Sequence, residues 1–511
     1  MTSEQLRAAT SNSRLCYVKA GPGSGKTLLA SEAYGRLRYR HHQLSRRGVL
    51  GITFARSARR ELEHRIRLRW GDRAIESPNA ICTFDQFHRR IVQSLITKGL
   101  VKWPGPSPPM HFLDAWPSEY GATPRPGRKS RCMLTLDDDG IVAISRTTDK
   151  TLAPSPAFVD ATAFREALAK GVCTHADVRN ILRQACDRSR HPRLVDAILE
   201  YMYQTICHLV VDEAFDMNLL DLAMLRLAIE ADVPVMIVGD PWQSLYEFRG
   251  SSPANVRTLI EDYQFTEFEI AGSHRYESDE MRQLSNSLFH GDPFVLHGAR
   301  EGEEFDVALA HDWMTLWSEQ RHLILPAGVP SNIDGGSMAH AFTILLNKIV
   351  EARFGIEVSR ASVSMRAISP SKLDSQLGEP LKLMRDSDAS EEQIWNALRH
   401  SFQPKSSRKW SEPRKIAKDC LRSLMRIVRQ GGDPILGLSI HQAKGLEWAR
   451  VLFLDGELTT ATGYANVLDV NEHSHRSVYV GLTRAKKSVR VLNVYRAASH
   501  AQRAKIEHIH F

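Results

Sequence analysis

The run Ala20-Gly21-Pro22-Gly23-Ser24-Gly25-Lys26-Thr27 carries the plainest chemistry in this sequence. It follows an apolar stretch, Leu15-Cys16-Tyr17-Val18, and opens into Leu28-Leu29-Ala30-Ser31-Glu32-Ala33, which reads as a helix. Strand, glycine-rich turn, Lys-Thr and helix is an order that wraps backbone N–H groups around a triphosphate. Glycine is needed wherever a side chain would hold the backbone away from phosphate oxygens. Lys26 is then placed to neutralise the β- and γ-phosphates, and the Thr27 hydroxyl to ligate Mg²⁺. Ala20 to Thr27 are therefore expected to hold a nucleoside triphosphate.

A second apolar run, Leu209-Val210-Val211, ends in Asp212-Glu213-Ala214-Phe215-Asp216. Buried strands read as continuous apolar runs, and parallel sheets place their sites at the C-terminal ends of such strands. Asp212 is expected to hold Mg²⁺, and Glu213 to act as the general base on the attacking water. A third run, Val233 to Val238, leads into Gly239-Asp240-Pro241-Trp242-Gln243-Ser244-Leu245-Tyr246-Glu247-Phe248-Arg249-Gly250. Its polar part, Asp240 and Gln243, can touch a γ-phosphate or its water. Its aromatic part can stack on something planar.

In wording and order these segments resemble superfamily 1 DNA helicases of the UvrD/Rep/PcrA group, and further matches follow in the family's order. Gln5 stands where an adenine-reading glutamine precedes the phosphate loop. Ile52-Thr53-Phe54, followed by Ala58-Arg59-Arg60-Glu61-Leu62, is similar to the family's TFTNKAAxEM motif, and Thr83-Phe84-Asp85-Gln86-Phe87 to TFHSF. Ser273-His274-Arg275 resembles NYRS, Ser439 to Trp448 resembles TIHxAKGLEF, and Val478 to Lys487 resembles LYVALTRAK. The resemblance covers about half of the chain.

It implies ATP with Mg²⁺ as the nucleotide. Arg275 and Arg484 become arginine fingers that reach the γ-phosphate across a cleft, Gln243 its sensor, and Glu447 a ribose contact. Arginine suits the finger role because its planar, bidentate charge matches the equatorial oxygens of the transition state. Three departures stand out. His274 replaces an adenine-stacking aromatic, Asp85-Gln86 replaces His-Ser, and Phe215 replaces a glutamine that lies between the nucleotide and strand sites in the family.

The resemblance also implies a single-strand track across the tops of the cores, touched by Thr53, Phe54, Thr83, Phe84, Tyr246, Phe248 and His441. Such a track needs stacking platforms in a positive groove, and its grip is sequence-tolerant and salt-sensitive. The net charge of +8 agrees with a polyanionic partner. Arginines crowd Arg56 to Arg69, and a second basic cluster runs through Lys405, Arg408, Lys409, Arg414, Lys415, Lys418, Arg422, Arg426 and Arg429. Either cluster also fits a merely solvated helix face.

The expected fold class is α/β: two RecA-like parallel-sheet cores of the P-loop NTPase type, each with an inserted, mostly helical subdomain. The first core is expected over about 1–90 and 200–272, with its insertion at 91–199. The second is expected over 273–365 and 431–511, with a short basic insertion at 366–430. Within 91–199, the Pro/Gly-rich stretches and Asp137-Asp138-Asp139-Gly140 read as surface loops and a turn. No apolar window is long enough to span a membrane, the start lacks a secretory pattern, and seven scattered cysteines suggest reduced thiols in a cytoplasmic setting. No nuclease domain is expected after the last motif, since the sequence ends at Phe511.

The compact layout is similar to the helicase-like B subunit of Gabija-type anti-phage systems, which works beside a nuclease. Two functions are therefore expected. One is a 3′→5′ translocase or helicase on single-stranded or tailed DNA. The alternative is a DNA-dependent ATPase that senses DNA ends or single strands and regulates a partner nuclease in anti-phage defence.

Overall fold

The computed structural model of the 511-residue chain describes residues 1–40, 47–105, 110–113, 131–147, 162–247, 250–319, 321–330, 333, 337–355, 365–366, 370–404, 413–461, 464–493 and 509–510. It divides into two units, Met1–His274 and Arg275–Phe511.

In the first unit, five largely apolar runs and one edge strand with two glutamates, Thr266–Ile270, pair into one parallel sheet. The spatial order is Thr266–Ile270, Leu15–Ala20, Val235–Gly239, Ile206–Val211, Gly48–Thr53, Ala80–Thr83. Successive side chains alternate between two cores, as a two-residue period requires. Cys16, Val18 and Ala20 join Leu29, Ala30 and Tyr34 on one face, with Val210, Met236 and Val238. Tyr17, Leu50, Ile52, Leu209, Val211 and Ile237 face the other side, against Phe87, Ile91, Leu220 and Leu225. Helices covering both faces explain why inner strands such as Gly48–Thr53 and Val235–Gly239 are buried at every position.

The segment between Ala80–Thr83 and Ile206–Val211 is not wholly helical. The helices Thr162–Ala169, His175–Ala185 and Pro192–Thr205 are present, but so is an antiparallel hairpin, Arg131–Leu136 with Val142–Thr147. Asp137 to Gly140, expected as a turn, join the two strands, which the sequence did not mark on either side of it. Asp137 explains the turn: its carboxylate accepts from the N–H groups of Asp139 at 3.1 Å and Ile141 at 2.7 Å, and Gly140 follows at φ +73°. Leu134, Leu136 and Val142 bury one side of the hairpin, an alternation too short to stand out beside that turn signal.

The second unit holds a five-stranded parallel sheet in the order Ile324–Pro326, Ile435–Ser439, Val307–Ala310, Trp448–Leu454, Ala485–Leu492. Its first two strands are spatial neighbours but far apart in sequence. Between them run the helices Ser337–Phe354, Pro370–Arg385, Glu391–Ser401 and Lys415–Gln430. The helical layer thus starts at Ser337, inside the range expected for the core. Phe342 packs its ring 6.1 Å from Trp395, and Lys348 pairs with Asp374 at 2.7 Å.

Much of the second basic cluster holds this layer together. Arg429 donates to the carbonyls of Leu383, Met384, Ser387 and Ala389, where a neighbouring helix ends. Arg422 pairs with Glu391 and Asp419, and Arg426 donates to the Glu319 carbonyl. Lys405, Arg408 and Lys409 lie outside the described residues. Arg429→Ala should cost the second unit about 2 kcal/mol, because a cationic donor to several carbonyls is lost at once. Chemical denaturation measures this, and a midpoint equal to the wild type's would contradict it.

Candidate functional site

The carboxyl ends of three adjacent strands in the first unit deliver the residues singled out above. Leu15–Ala20 runs into the glycine-rich loop, Val235–Gly239 into Asp240 and Gln243, and Ile206–Val211 into Asp212 and Glu213. The loop is closed by its own contacts. The Ser24 hydroxyl donates to the Gly21 carbonyl at 2.7 Å, and the His274 N–H donates to the Gly23 carbonyl at 2.9 Å. Pro22 lies in the turn that leads to Gly23. Lys26 Nζ folds back over the loop, 3.3 Å from the Ala20 carbonyl and 3.1 Å from that of Gly21. Its charge therefore sits over the cradle that a phosphate would fill.

Gln5 ties the N-terminal helix to this loop. Its carboxamide oxygen accepts from the Thr2 N–H at 2.8 Å, and its Nε2 donates to the Ser24 carbonyl at 2.7 Å. Gly25 sits at φ +83°, and a Cβ there would lie 3.0 Å from Gln5 Nε2, so glycine serves both the backbone and the close approach. Thr2 was not singled out from sequence, although the spacing Thr2-x-x-Gln5 is a capping box.

Thr27 and Asp212 meet directly, with the hydroxyl donating to the carboxylate at 3.0 Å. Asp212 is 1% exposed, and burial drives its carboxyl toward the neutral form, reinforced by the neighbouring Glu213. A divalent cation would relieve that strain. Among the described residues no group of three or more His, Cys, Asp or Glu could hold a metal by itself. Glu213 adopts the left-handed region, φ 58° and ψ 42°, rare for a residue with a side chain. Asp240 fixes Gln243 by accepting from its Nε2 at 2.8 Å.

Phe215 is buried rather than presented at this sheet edge. Its ring is 2% exposed, lies edge-on to Tyr17 at 5.8 Å and leaves no room for a Cβ on Gly239. An apolar contact therefore occupies the place where the family carries a glutamine.

Of the residues expected along a strand track, Phe54 and Tyr246 come together, stacked with ring centroids 5.0 Å apart and planes 20° from parallel. Both are half-buried. The other three in this unit are turned to structural work. Thr53 is fully buried and donates to the Ala55 carbonyl, and Thr83 caps the helix Phe84–Thr97 in a capping box with Gln86. Phe84 packs into the core at 5% exposure, leaving no ring face for a base. Phe248 lies outside the described residues. The departures at Asp85 and Gln86 have partners of their own: Asp85 pairs with Arg179, and Gln86 accepts from Arg59.

The first basic cluster is largely neutralised in place. Arg59 pairs with Glu63, Arg65 with Glu61, Arg67 with Asp72 and Arg69 with Glu32.

In the second unit, a polar cluster gathers Arg275, Glu447, Thr483, Arg484 and Lys486. Arg275 donates to Glu447 at 2.8 Å and to the Thr483 carbonyl at 2.9 Å, while Lys486 pairs with Glu447 at 3.0 Å. Burial opposes ionisation of Glu447, but the Lys486 and Arg275 cations outweigh it and hold the carboxyl below its usual range. Arg484 is 2% exposed and donates to the Val480 carbonyl at 3.0 Å, with Leu446 and Thr483 oxygens at 3.4 Å. His441 is half-buried after the strand Ile435–Ser439.

Comparison with known proteins agrees with this geometry. Residues 4–249 match the family model described as an AAA domain, and residues 434–492 match that of the UvrD-like helicase C-terminal domain. The chain is similar to the ATP-dependent DNA helicase PcrA of Staphylococcus aureus strain Mu50, 24% identical over 277 residues, or 52% of this chain and 36% of that protein. It is also similar to the ATP-dependent DNA helicase Rep of Salmonella typhimurium strain LT2, 24% identical over 310 residues, or 55% of this chain and 42% of that protein. The match thus spans well under half the length of these relatives. Among the described residues no helix is long and apolar enough to cross a membrane.

Proposed function

We propose that this chain, whose matched segments support membership of the UvrD/PcrA/Rep-like superfamily 1 helicases, is an ATP-hydrolysing motor that moves 3′→5′ along single-stranded DNA and opens tailed duplexes. One observation carries the reading. Lys26, Thr27, Asp212, Glu213 and Gln243 line a single sheet edge, and the stacked Phe54–Tyr246 pair stands on that same edge.

The loop N–H groups and Lys26 bind the β- and γ-phosphates, and Gln5 reads the base while bracing the loop through Ser24. Thr27 and Asp212 would hold Mg²⁺, which would supply positive charge to the phosphate oxygens. Gln243, oriented by Asp240, positions the attacking water. Glu213 takes the proton from that water as its oxygen bonds to the γ-phosphorus and the bond to the bridging oxygen breaks, so that ADP leaves with the bridging oxygen and phosphate is formed. Arg275 and Arg484 supply charge to the equatorial oxygens, and Glu447 contacts the ribose. Phe54 and Tyr246 offer π-faces to successive bases, and His441 contacts the strand from the second core.

Hydrolysis of Mg·ATP is expected to rise on adding single-stranded DNA, and a duplex with a 3′ tail is expected to separate while one with a 5′ tail does not. Absence of DNA stimulation would overturn the reading. The double variant Phe54→Ala/Tyr246→Ala should raise the DNA concentration needed for stimulation at least about thirtyfold, since two lost base–ring stacks are together worth about 2 kcal/mol or more. Stimulation of that variant at the wild-type DNA concentration would remove the pair from the track.

A second reading is favoured by Phe215, whose buried ring replaces the polar link between nucleotide and strand sites. In it the chain is a DNA-dependent ATPase that senses single strands or ends and regulates a nuclease partner, as in the anti-phage B subunit it resembles. DNA-stimulated hydrolysis without strand separation, for the chain alone, would select this second reading.

A further inference from the structure

The carboxyl edge of the second sheet carries three histidines, of which only His441 belongs to a segment that resembles the family. The strands Val307–Ala310 and Ile435–Ser439 are parallel neighbours, with Ala310 opposite Ser439. His311 directly follows the first of them and His441 stands two residues past the second, in the helix Ile440–Ala443, so both lie at the carboxyl edge of the sheet, where open α/β sheets bind ligands. His473 opens the ten-residue helix His473–Leu482, and its ring lies 6.4 Å from that of His441, with the planes 25° apart. Among the described residues, the buried Nε2 of His311 has no hydrogen-bond partner.

We propose that His311, His441 and His473 form a proton-linked site for a backbone phosphate of the bound nucleic-acid strand. The proposal rests on the nucleic-acid reading above and deepens it.

The surrounding charges decide its sign. Lys444, on the loop after His441, adds a further cation. Asp312 is occupied in capping its own helix, accepting from the Thr315 N–H at 2.9 Å and hydroxyl at 3.2 Å. Glu472 precedes His473 and is exposed to water, and Arg476 is buried and donates to the Val470 carbonyl. The Nδ1 of His475 accepts from the Asp469 N–H. Burial holds His441 below the ordinary histidine range, and His473, His311 and Lys444 act in the same direction.

A phosphodiester is anionic at every pH near neutrality. Placed among these rings, with the N–H groups that open the helix at His473, it supplies the missing counter-charge. The bound complex then holds more protons than its separate parts. Affinity must therefore rise as pH falls, in the window at and below histidine's usual pKa of about 6.5.

The test uses the full chain and a fluorescein-labelled oligothymidylate of about twenty nucleotides, at fixed ionic strength, with anisotropy read from about pH 6 to pH 8. Wild-type affinity should fall about tenfold across that range, and that of His311→Gln/His473→Gln about twofold or less. A wild-type pH slope in the double variant overturns the histidine site and leaves the nucleic-acid reading standing. No binding of the wild type at any pH overturns both. Calorimetry of the wild type in two buffers of different ionisation heat requires no variant. Uptake of about half a proton or more near pH 6.5 supports the site, and no uptake overturns it.

Discussion

Glu213→Gln is expected to lower kcat for ATP hydrolysis about a thousandfold while ATP affinity stays within a few-fold of wild type. The amide keeps the volume and removes the base. Asp212 keeps both of its donors, the Thr27 hydroxyl at 3.0 Å and the residue-213 N–H at 3.0 Å, so the cation ligands remain in place. A second substitution at the same position should move stability the other way. Glu213 is held at φ 58°, a conformation that costs a side-chain-bearing residue about 1–2 kcal/mol and glycine almost nothing. After allowance for glycine's extra freedom in the unfolded chain, Glu213→Gly should stabilise the first unit by about 0.5–1 kcal/mol and be as inactive as the glutamine variant. Steady-state hydrolysis and thermal unfolding on the same samples check both. Residual turnover above about a tenth of wild type would remove Glu213 as the base. A less stable Glu213→Gly would show that the surrounding turn, through the Asp216 N–H on the Glu213 carbonyl, depends on the side chain.

The site in the first unit was legible because each of its parts is local in sequence. A strand, a turn and the residue that follows are contiguous, and the chemistry of Lys-Thr after glycines, or of two acids after an apolar run, leaves few alternatives. The α/β class followed from the same runs, since Gly48–Thr53 and Val235–Gly239 are buried at every position and alternate between two helix-covered faces. Side-chain direction was not legible. Thr53, Thr83 and Phe84 stand in segments that resemble track motifs, yet one is sealed in the sheet, one caps a helix and one fills the core. A single residue of phase at a strand end decides between such outcomes, and no local pattern records it. Phe215 reads as a substitution on paper. In the fold it is a packing solution, its ring closing against Tyr17 and the bare Cα of Gly239. The arginine clusters were open to two readings for a different reason, because their acidic partners are partly remote. Glu61 and Glu63 lie one turn from their arginines, but Glu32 and the carbonyls held by Arg429 come from other elements.

Arg275 and Arg484 should separate catalysis from folding. Arg275 keeps one edge partly open, 15% exposed along its side chain, and its partner Glu447 retains Lys486 if the arginine is removed. Arg275→Ala should therefore cost about 1 kcal/mol in stability, because the partly exposed Glu447 keeps its pair with Lys486. Its kcat should nevertheless fall about a thousandfold, the scale of a lost arginine finger. Arg484 is almost wholly enclosed, and its guanidinium answers the Val480 carbonyl and lies against the Leu446 and Thr483 oxygens. Arg484→Ala opens a cavity and strands those acceptors, so a loss of about 2–4 kcal/mol should accompany any loss of turnover. Lysine makes the distinction sharper. At position 275 it keeps a charge near Glu447 but cannot make the bidentate contact, so Arg275→Lys should fold normally and remain at least about a hundredfold impaired. If Arg275→Ala hydrolyses ATP within about tenfold of wild type, its guanidinium serves only to hold Glu447 and the Thr483 carbonyl, and the finger role falls to Arg484 alone.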